Sequence, residues 1–154
     1  MNNRYFPMFI PSAGKTALVA GGGKIASRRV ESLLQFDFTI VVVSPAVNQQ
    51  LKQLAEAGRV QWIRDTYRSS YLVDADLATA CTDDRAVNRQ IGADARARNT
   101  PVSVCDCKEE CTFYFPAVAA SDEVTCGIVG TGRDHRITKR AAAAIRELIT
   151  RKAY

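Results

Sequence analysis

The sequence predicts an α/β protein: a Rossmann-like parallel sheet with helices on both faces, followed by a small α+β dimerisation unit. Between residues 16 and 105, apolar β-branched runs alternate with amphipathic helical patterns, as in parallel sheets with crossover helices. After Asp106 this alternation stops, and one strand pattern is followed by a basic amphipathic helix. We therefore expect a Rossmann-like domain over residues 1–112 and a second unit over residues 113–154.

The strands are predicted from short apolar runs, and the helices from apolar residues three or four positions apart. The expected strands are Thr16–Ala20, Thr39–Val43, Val60–Ile63, Asp76–Cys81 and Pro101–Cys105. The second helix should end at Gly58, and the third should begin after Asp84, whose side chain suits an N-cap. Phe6–Ile10 is expected to be an extended segment against this domain.

Three consecutive glycines join the first predicted strand to the first helix. Gly21, Gly23 and Ala26 fill the G-x-G-x-x-A form of the dinucleotide-binding fingerprint. Gly21 permits a tight turn, Gly23 leaves the backbone open to a pyrophosphate, and Ala26 lets the helix pack closely on the strand. The helix N-terminus adds free N–H groups and a partial positive charge. The surrounding strand and helix favour a nucleotide site over a glycine-rich turn of another kind.

Composition sets limits on the class of protein. With 154 residues, 47% of them hydrophobic and 24% charged, the chain can bury one core with a small appendage. A net charge of +5 suits an anionic partner, but basic residues are not interleaved with aromatics, so nucleic acid is not expected. No apolar run approaches a membrane span, and no signal peptide is recognisable, so we expect a cytoplasmic protein. An odd count of five cysteines predicts free thiols.

The segment after Asp106 is too apolar for a small appendage on its own. It contains the aromatic run Phe113–Val118, a strand pattern over Val124–Val129 and a helix over Ile137–Lys152. Ile145, Leu148 and Ile149 are expected on one face of that helix. This excess of apolar surface predicts a homodimer.

Four motifs resemble, in the same order, the precorrin-2 dehydrogenase/sirohydrochlorin ferrochelatase module of siroheme synthesis. They are Phe6–Phe9, Gly21–Ala26 with Arg28 and Arg29, Ala80–Asp84 with Val87 and Asn88, and Val104–Asp106 followed by Phe115–Ala117. The similarity runs from about residue 5 to residue 150. It implies NAD as cofactor, a tetrapyrrole substrate, oxidation of precorrin-2 to sirohydrochlorin and, as in some members, insertion of Fe²⁺ to give siroheme.

The resemblance also implies roles for single residues. It puts the dinucleotide on the glycine-rich segment, the adenosine ribose near Ser44, and the nicotinamide near the end of the fourth strand. The implied cofactor-binding residues are Gly21, Gly22, Gly23, Lys24, Ile25, Ala26, Ser44, Thr82, Asp83 and Asn88. Asp106 occupies the position of the family's catalytic acid/base. The second unit would form the dimer.

Two further features carry both a functional and a structural interpretation. Asp106 lies at the carboxyl end of the fifth strand, where open α/β sheets bind ligands, and could accept a proton there; the alternative is a turn or cap aspartate. Arg133, Arg136 and Arg140 form one helical stripe that could bind the eight carboxylates of the substrate. The alternative is a solvated helix face.

The sequence departs from the family in three places. It ends before the helical third domain that helps close the family's active-site cleft. Asp134 and His135 stand where the family has Ser-Pro. Ser44 stands where an acidic residue usually hydrogen-bonds the ribose 2′-hydroxyl. The absence of that acidic residue predicts only a modest preference for NAD over NADP.

Two other functions remain open. A domain that binds NAD as a sensor would keep the fold without turnover, and would have no need of Asp106. A metallochaperone would use Cys107, Cys111 and His135, but the C-x-C-x3-C spacing that begins at Cys105 lacks the paired C-x2-C pattern of zinc sites. His135, the single histidine, fits a solvent-facing loop better than a metal ligand or base. We expect no bound metal.

Overall fold

Five apolar runs form one parallel sheet, as a computed structural model that describes residues 5–131 and 135–150 shows. The strands are β1 (Thr16–Ala20), β2 (Thr39–Val43), β3 (Gln61–Ile63), β4 (Leu77–Ala80) and β5 (Val102–Val104). They lie in the order β3-β2-β1-β4-β5, every neighbouring pair parallel. The predicted Rossmann-like sheet is confirmed, with the last three strands slightly shorter than expected.

Three helices connect these strands: α1 (Lys24–Leu33), α2 (Gln49–Glu56) and α3 (Arg85–Ala97). The predicted N-cap of α3 is confirmed, because Asp84 accepts hydrogen bonds from the backbone N–H groups of Ala86 and Val87. A second cap was not foreseen. Asn48 accepts from the N–H of Leu51, so that α2 starts at Gln49.

The strand order places a ligand crevice at one point of the sheet. Right-handed crossovers from β1 to β2 to β3 put α1 and α2 on one face. The chain then returns to β4 beside β1, and the next crossover puts α3 on the opposite face. Between the carboxyl ends of β1 and β4 the helices diverge, which is where open α/β sheets bind ligands. Beneath this edge the core is fully buried, with Leu18, Val19, Val42, Ile91 and Val102 among its members.

The chain divides into two compact units, which differ from the predicted domains at the N-terminus. The sheet unit is Pro11–Phe113, and the second unit contains the described residues up to Ile10 and from Tyr114 onward. The rings of Tyr5 and Tyr114 lie 4.5 Å apart between centroids, which ties the N-terminal segment to this second unit. The sequence instead placed that segment with the sheet domain.

The second unit contains an antiparallel pair of strands and one helix. The strands are β6 (Ala117–Ala120) and β7 (Thr125–Ile128), and α4 (His135–Thr150) packs against both. The sequence predicted the second strand and the helix but not β6, because its alanines have weak strand propensity. On α4, Ile145 and Ile149 are partly buried as expected, whereas Leu148 is 72% exposed. None of the described helices has the length and apolar character needed to cross a membrane.

Candidate active site

The first glycine of the loop joins the ends of β1 and β4. Gly21 has φ +131°, a conformation that side chains rarely adopt, and its N–H donates to the carbonyl of Val43 at 2.9 Å. A Cβ atom here would lie 2.4 Å from the carbonyl oxygen of Cys81. Only glycine fits, so the turn and the end of β4 approach each other at the crevice.

The middle glycine is the most confined of the three, although the fingerprint assigns it no separate role. A Cβ atom on Gly22 would lie 1.9 Å from the carbonyl oxygen of Ala46 and 2.8 Å from Ser44 Oγ. The carbonyl of Gly22 accepts from the N–H of Asn48 at 2.8 Å. The loop between β2 and α2 therefore packs directly on Gly22.

Gly22→Ala is expected to lower the free energy of unfolding by about 2–3 kcal/mol, because backbone must move to admit the methyl group. Gly23→Ala is the matched control, since nothing lies within 4 Å of a Cβ atom there. The control should cost less than about 1 kcal/mol, the difference between glycine and alanine at an N-cap. Urea denaturation measures both, and equal stabilities would contradict this packing.

The third glycine opens the loop toward a ligand. Gly23 is the N-cap residue of α1, and the space beside it is free. The backbone N–H groups of Lys24, Ile25 and Ala26 have no partner within the helix, because they belong to its first turn. Lys24 and Ile25 are exposed, and Ala26 is fully buried beneath them. Free donors around an unfilled space suit the pyrophosphate of a dinucleotide.

Ser44, implied to lie near the adenosine ribose, shapes the loop after β2. It is only 8% exposed, and its hydroxyl donates to the carbonyl of Ala46 at 2.6 Å. Trp62 Nε1 donates to the carbonyl of Ser44 at 2.9 Å. Because serine is neutral, this residue adds no charge to the end of β2.

Arg64 brings a positive charge to this loop. This charge was not predicted from the sequence. Its Nε donates to the carbonyl of Pro45 at 3.4 Å, and its guanidinium carbon lies 5.3 Å from the Trp62 ring centroid. The sequence signal for this charge is a basic residue directly after the third predicted strand. In related folds an arginine in this region accommodates a ribose 2′-phosphate.

At the other side of the crevice, one amide joins the ends of β4 and β5. Asn88 is 1% exposed, and its Oδ1 accepts from the N–H of Thr82 at 3.0 Å. Its Nδ2 donates to the Thr82 carbonyl at 3.0 Å and to Asp106 Oδ2 at 2.8 Å. The Thr82 hydroxyl lies 2.7 Å from Asn88 Oδ1. Asn88 thus orients Asp106 relative to the Thr82 loop, where Asp83 is exposed.

The Asp106 carboxylate is partly exposed and lies near an arginine. Its side chain is 37% exposed, and Oδ1 lies 3.7 Å from Nη1 of Arg85. Arg85 also binds Oε1 of Glu110 at 2.5 Å. That hydrogen bond lowers the pKa of Glu110 and raises the pKa of Arg85, so the pair stays charged. Sequence reasoning missed both residues, because the ion pair depends on the return of the chain after β5.

The remaining candidates belong to the second unit or lie outside the described residues. Arg136 and Arg140 are exposed on α4 in the second unit, and Arg133 lies outside the described residues. His135 begins α4, but its side chain is also outside the described part. Among the residues that the structure describes, no group of three or more histidine, cysteine or acidic residues could hold a metal ion.

Comparison with known proteins gives a family, several relatives and a similar fold. Residues 8–117 match a family described as "Putative NAD(P)-binding". The "Probable multifunctional siroheme biosynthesis protein HemA" of Ruminiclostridium josui is 37% identical over 144 residues. "Siroheme synthase" of Psychrobacter arcticus is 31% identical over 144 residues. These alignments cover 93% and 94% of this chain but only 28% and 26% of the relatives, so the chain spans less than a third of their length.

A solved structure shows the same fold. The chain named "SirC, precorrin-2 dehydrogenase" superimposes with a TM-score of 0.83 at 23% identity, covering 94% of this chain and 70% of that one. The parallel sheet, the glycine loop at its switch point and the match over residues 8–117 agree with one another. The chain belongs to this NAD(P)-binding family.

Proposed function

We propose that this protein binds NAD in the crevice between β1 and β4 and oxidises precorrin-2 to sirohydrochlorin. The observation that carries the proposal is the Asp106 carboxylate, held by Asn88 and Arg85 yet partly open to solvent at the ligand-binding edge of the sheet. The names of the relatives, which refer to siroheme synthesis, support the substrate class. The fold shared with a protein named precorrin-2 dehydrogenase is consistent with it.

The glycine loop supplies the cofactor site in this proposal. The first turn of α1 binds the pyrophosphate, and the loops after β2 and β4 flank the adenosine and nicotinamide ends. NAD, when bound, accepts the hydride removed from the macrocycle. Because this cofactor takes the hydride but not the accompanying proton, the reaction also needs a base.

Asp106 is the base that this edge of the sheet offers. Asn88 donates to its Oδ2 at 2.8 Å, and the side chain is 37% exposed. A carboxylate held in this way can accept the proton lost from a carbon or pyrrole nitrogen of the substrate. We assign Arg133, Arg136 and Arg140 to the carboxylates of the tetrapyrrole, because paired charge-assisted contacts suit a polyanion.

The reaction is tested by anaerobic incubation of the protein with precorrin-2, with and without NAD. The sirohydrochlorin spectrum should appear faster than in a protein-free control, and only when NAD is present. Binding of NAD without any turnover would overturn the proposal and favour the sensor interpretation.

We assign the insertion of Fe²⁺ to this site as a second reaction. Metal insertion also removes protons from pyrrole nitrogens, so the same Asp106 carboxylate could accept them. Loss of both reactions in one Asp106 variant would support a shared base.

Arg64 is expected to determine how well NADP binds. Ser44 brings no carboxylate to repel a 2′-phosphate, and the Arg64 guanidinium is anchored on the same loop. Arg64→Ala should weaken NADP binding by about tenfold, the loss of one charge-assisted contact, and leave NAD binding unchanged. Calorimetric titration measures both. The control is Arg59→Ala, an exposed arginine before β3, and an equal effect from it would contradict this role.

We infer that the second unit forms a homodimer. A single helix on two short strands buries little, and its large apolar residues Ile137 and Leu148 are 66% and 72% exposed. These two residues and exposed Ala144 share one side of α4, because their spacings of seven and four correspond to whole turns. A second copy supplies the same face by two-fold symmetry.

Sedimentation at micromolar concentration should therefore give a mass of twice 16.9 kDa. Leu148→Asp should shift the protein to monomer by placing a charge in the apolar contact. Ala143→Asp is the matched control, since this exposed residue lies on another side of α4. A monomeric wild type, or a dimer that Leu148→Asp leaves intact, would refute the interface.

A further inference from the structure

Two cysteines lie side by side where β4 and β5 end. Ala80 pairs with Val104 in the parallel ladder, so Cys81 and Cys105 are the next residues in register. The backbone ladder continues through them, because Cys81 N–H donates to Ala20 O at 2.8 Å and Cys105 N–H to Ala80 O at 3.0 Å. Their sulfur atoms are 2.9 Å apart, and both thiols are free.

This arrangement satisfies the geometric demands of a disulfide. Neighbouring strands lie about 4.8 Å apart, within the Cα separations of about 4.4–6.8 Å that disulfides span. The sulfur atoms need to approach by less than about 1 Å to reach bonding distance. The backbone therefore need not move far.

The charges around the pair favour one sulfur as the nucleophile. The hydrogen bond from Cys81 and the positive charge of Arg29, which also hydrogen-bonds the sulfur, lower the pKa of Cys105 to about 7. Burial of the Cys105 thiol and, to a smaller extent, the negative charge of Asp106 oppose this lowering of the pKa. The same hydrogen bond, together with burial, raises the pKa of Cys81. Cys105 is half-buried and Cys81 buried, so a reagent reaches the more acidic thiol first.

We propose that Cys81 and Cys105 form a redox-active dithiol that low-molecular-weight disulfides oxidise reversibly to an intramolecular disulfide. The Cys105 thiolate attacks one sulfur of the reagent, which releases one thiol and leaves a mixed disulfide on Cys105. Cys81 then loses its proton and attacks the Cys105 sulfur, which releases the second thiol. In total, the protein loses two electrons and two protons, and one reagent disulfide becomes two thiols.

A disulfide between Cys81 and Cys105 would lie at the edge of the crevice. Cys81 touches the Gly21 turn through its carbonyl, and Cys105 directly precedes Asp106. A disulfide would fix these two strand ends to each other. The proposal does not depend on the reaction assigned to Asp106, because it concerns the thiols of the protein alone.

The test equilibrates the full chain with oxidised and reduced glutathione, followed by alkylation of free thiols and peptide mapping without reduction. We expect a linked peptide pair containing Cys81 and Cys105 that disappears on treatment with dithiothreitol. Cys81→Ser and Cys105→Ser should abolish it, and Cys126→Ser, in the second unit, should retain it. Absence of the linked pair in folded wild type, or linkage of Cys105 to Cys107 or Cys111 instead, would overturn the proposal.

A second measurement keeps the test independent of variants that fail to fold. In the reduced wild type, the rate of Cys105 alkylation should rise with pH through a midpoint near 7, because only the thiolate reacts. Arg29→Gln should move that midpoint upward by removing the positive charge. A wild-type midpoint at the ordinary value of a thiol, about 8.5, would contradict the assigned nucleophile.

Discussion

Asp106→Asn is expected to lower turnover of precorrin-2 by about two to four orders of magnitude, the range for loss of a general base. The substitution keeps the shape of the side chain, and the asparagine oxygen can still accept the 2.8 Å hydrogen bond from Asn88. It removes the basic oxygen that would take the proton. Affinity for NAD should stay unchanged, because the glycine loop is untouched. Anaerobic rates and calorimetric titration of the same preparation measure the two effects.

Asp74→Asn is the matched control for this experiment. Asp74 is an exposed aspartate before β4, at the opposite end of the strand from the crevice. Its substitution should leave the rate unchanged, which would exclude a general effect of lost negative charge. If the wild type turns over and Asp106→Asn keeps most of that rate, Asp106 is not the base.

Gly23→Asp is expected to weaken NAD binding by about three orders of magnitude. Nothing lies within 4 Å of a Cβ atom at Gly23, so we expect the fold to be retained and the effect to fall on the ligand. The carboxylate would meet the pyrophosphate at the start of α1. Two like charges about 4 Å apart near a protein surface repel by about 4 kcal/mol, which corresponds to that loss of affinity. Calorimetric titration with NAD measures it.

The control for this variant places the same charge at the start of the neighbouring helix. Gln49 is the first residue of α2 and is exposed, and Gln49→Asp should bind NAD like the wild type. Unfolding temperatures of the two variants should match that of the wild type. Unchanged affinity in a folded Gly23→Asp variant would remove the dinucleotide from this loop.

The strands of the sheet could be predicted because each is marked by a continuous run of apolar residues in the sequence. Thr16–Ala20 and Thr39–Val43 are continuous apolar runs, and both appear as strands with the predicted bounds. The glycines that follow the first run indicated the turn, because few other residues permit it. Ala117–Ala120 has no such signal: as a strand it depends on pairing with β7 and packing under α4, contacts that a local pattern does not contain.

The site was predictable only in part, for the same reason. The fingerprint predicted Gly21 and Gly23 as cofactor-binding residues, but the close approach of Gly22 to Ala46 depends on the loop after a different strand. Likewise the bond from Asn88 to Asp106 joins residues eighteen positions apart in sequence, brought together by the parallel pairing of β4 and β5. Ser44, assigned to a ligand by resemblance, has its hydroxyl engaged with its own loop.

The most direct test of the central claim follows both products in a single anaerobic reaction with the protein in catalytic amount. If the crevice holds NAD beside a base that takes the proton, NADH and sirohydrochlorin should form in equal amounts over many turnovers. Both should be lost in Gly23→Asp and in Asp106→Asn, the first through binding and the second through rate. Sirohydrochlorin that forms without NADH, or NAD that binds while neither product appears, would contradict the account.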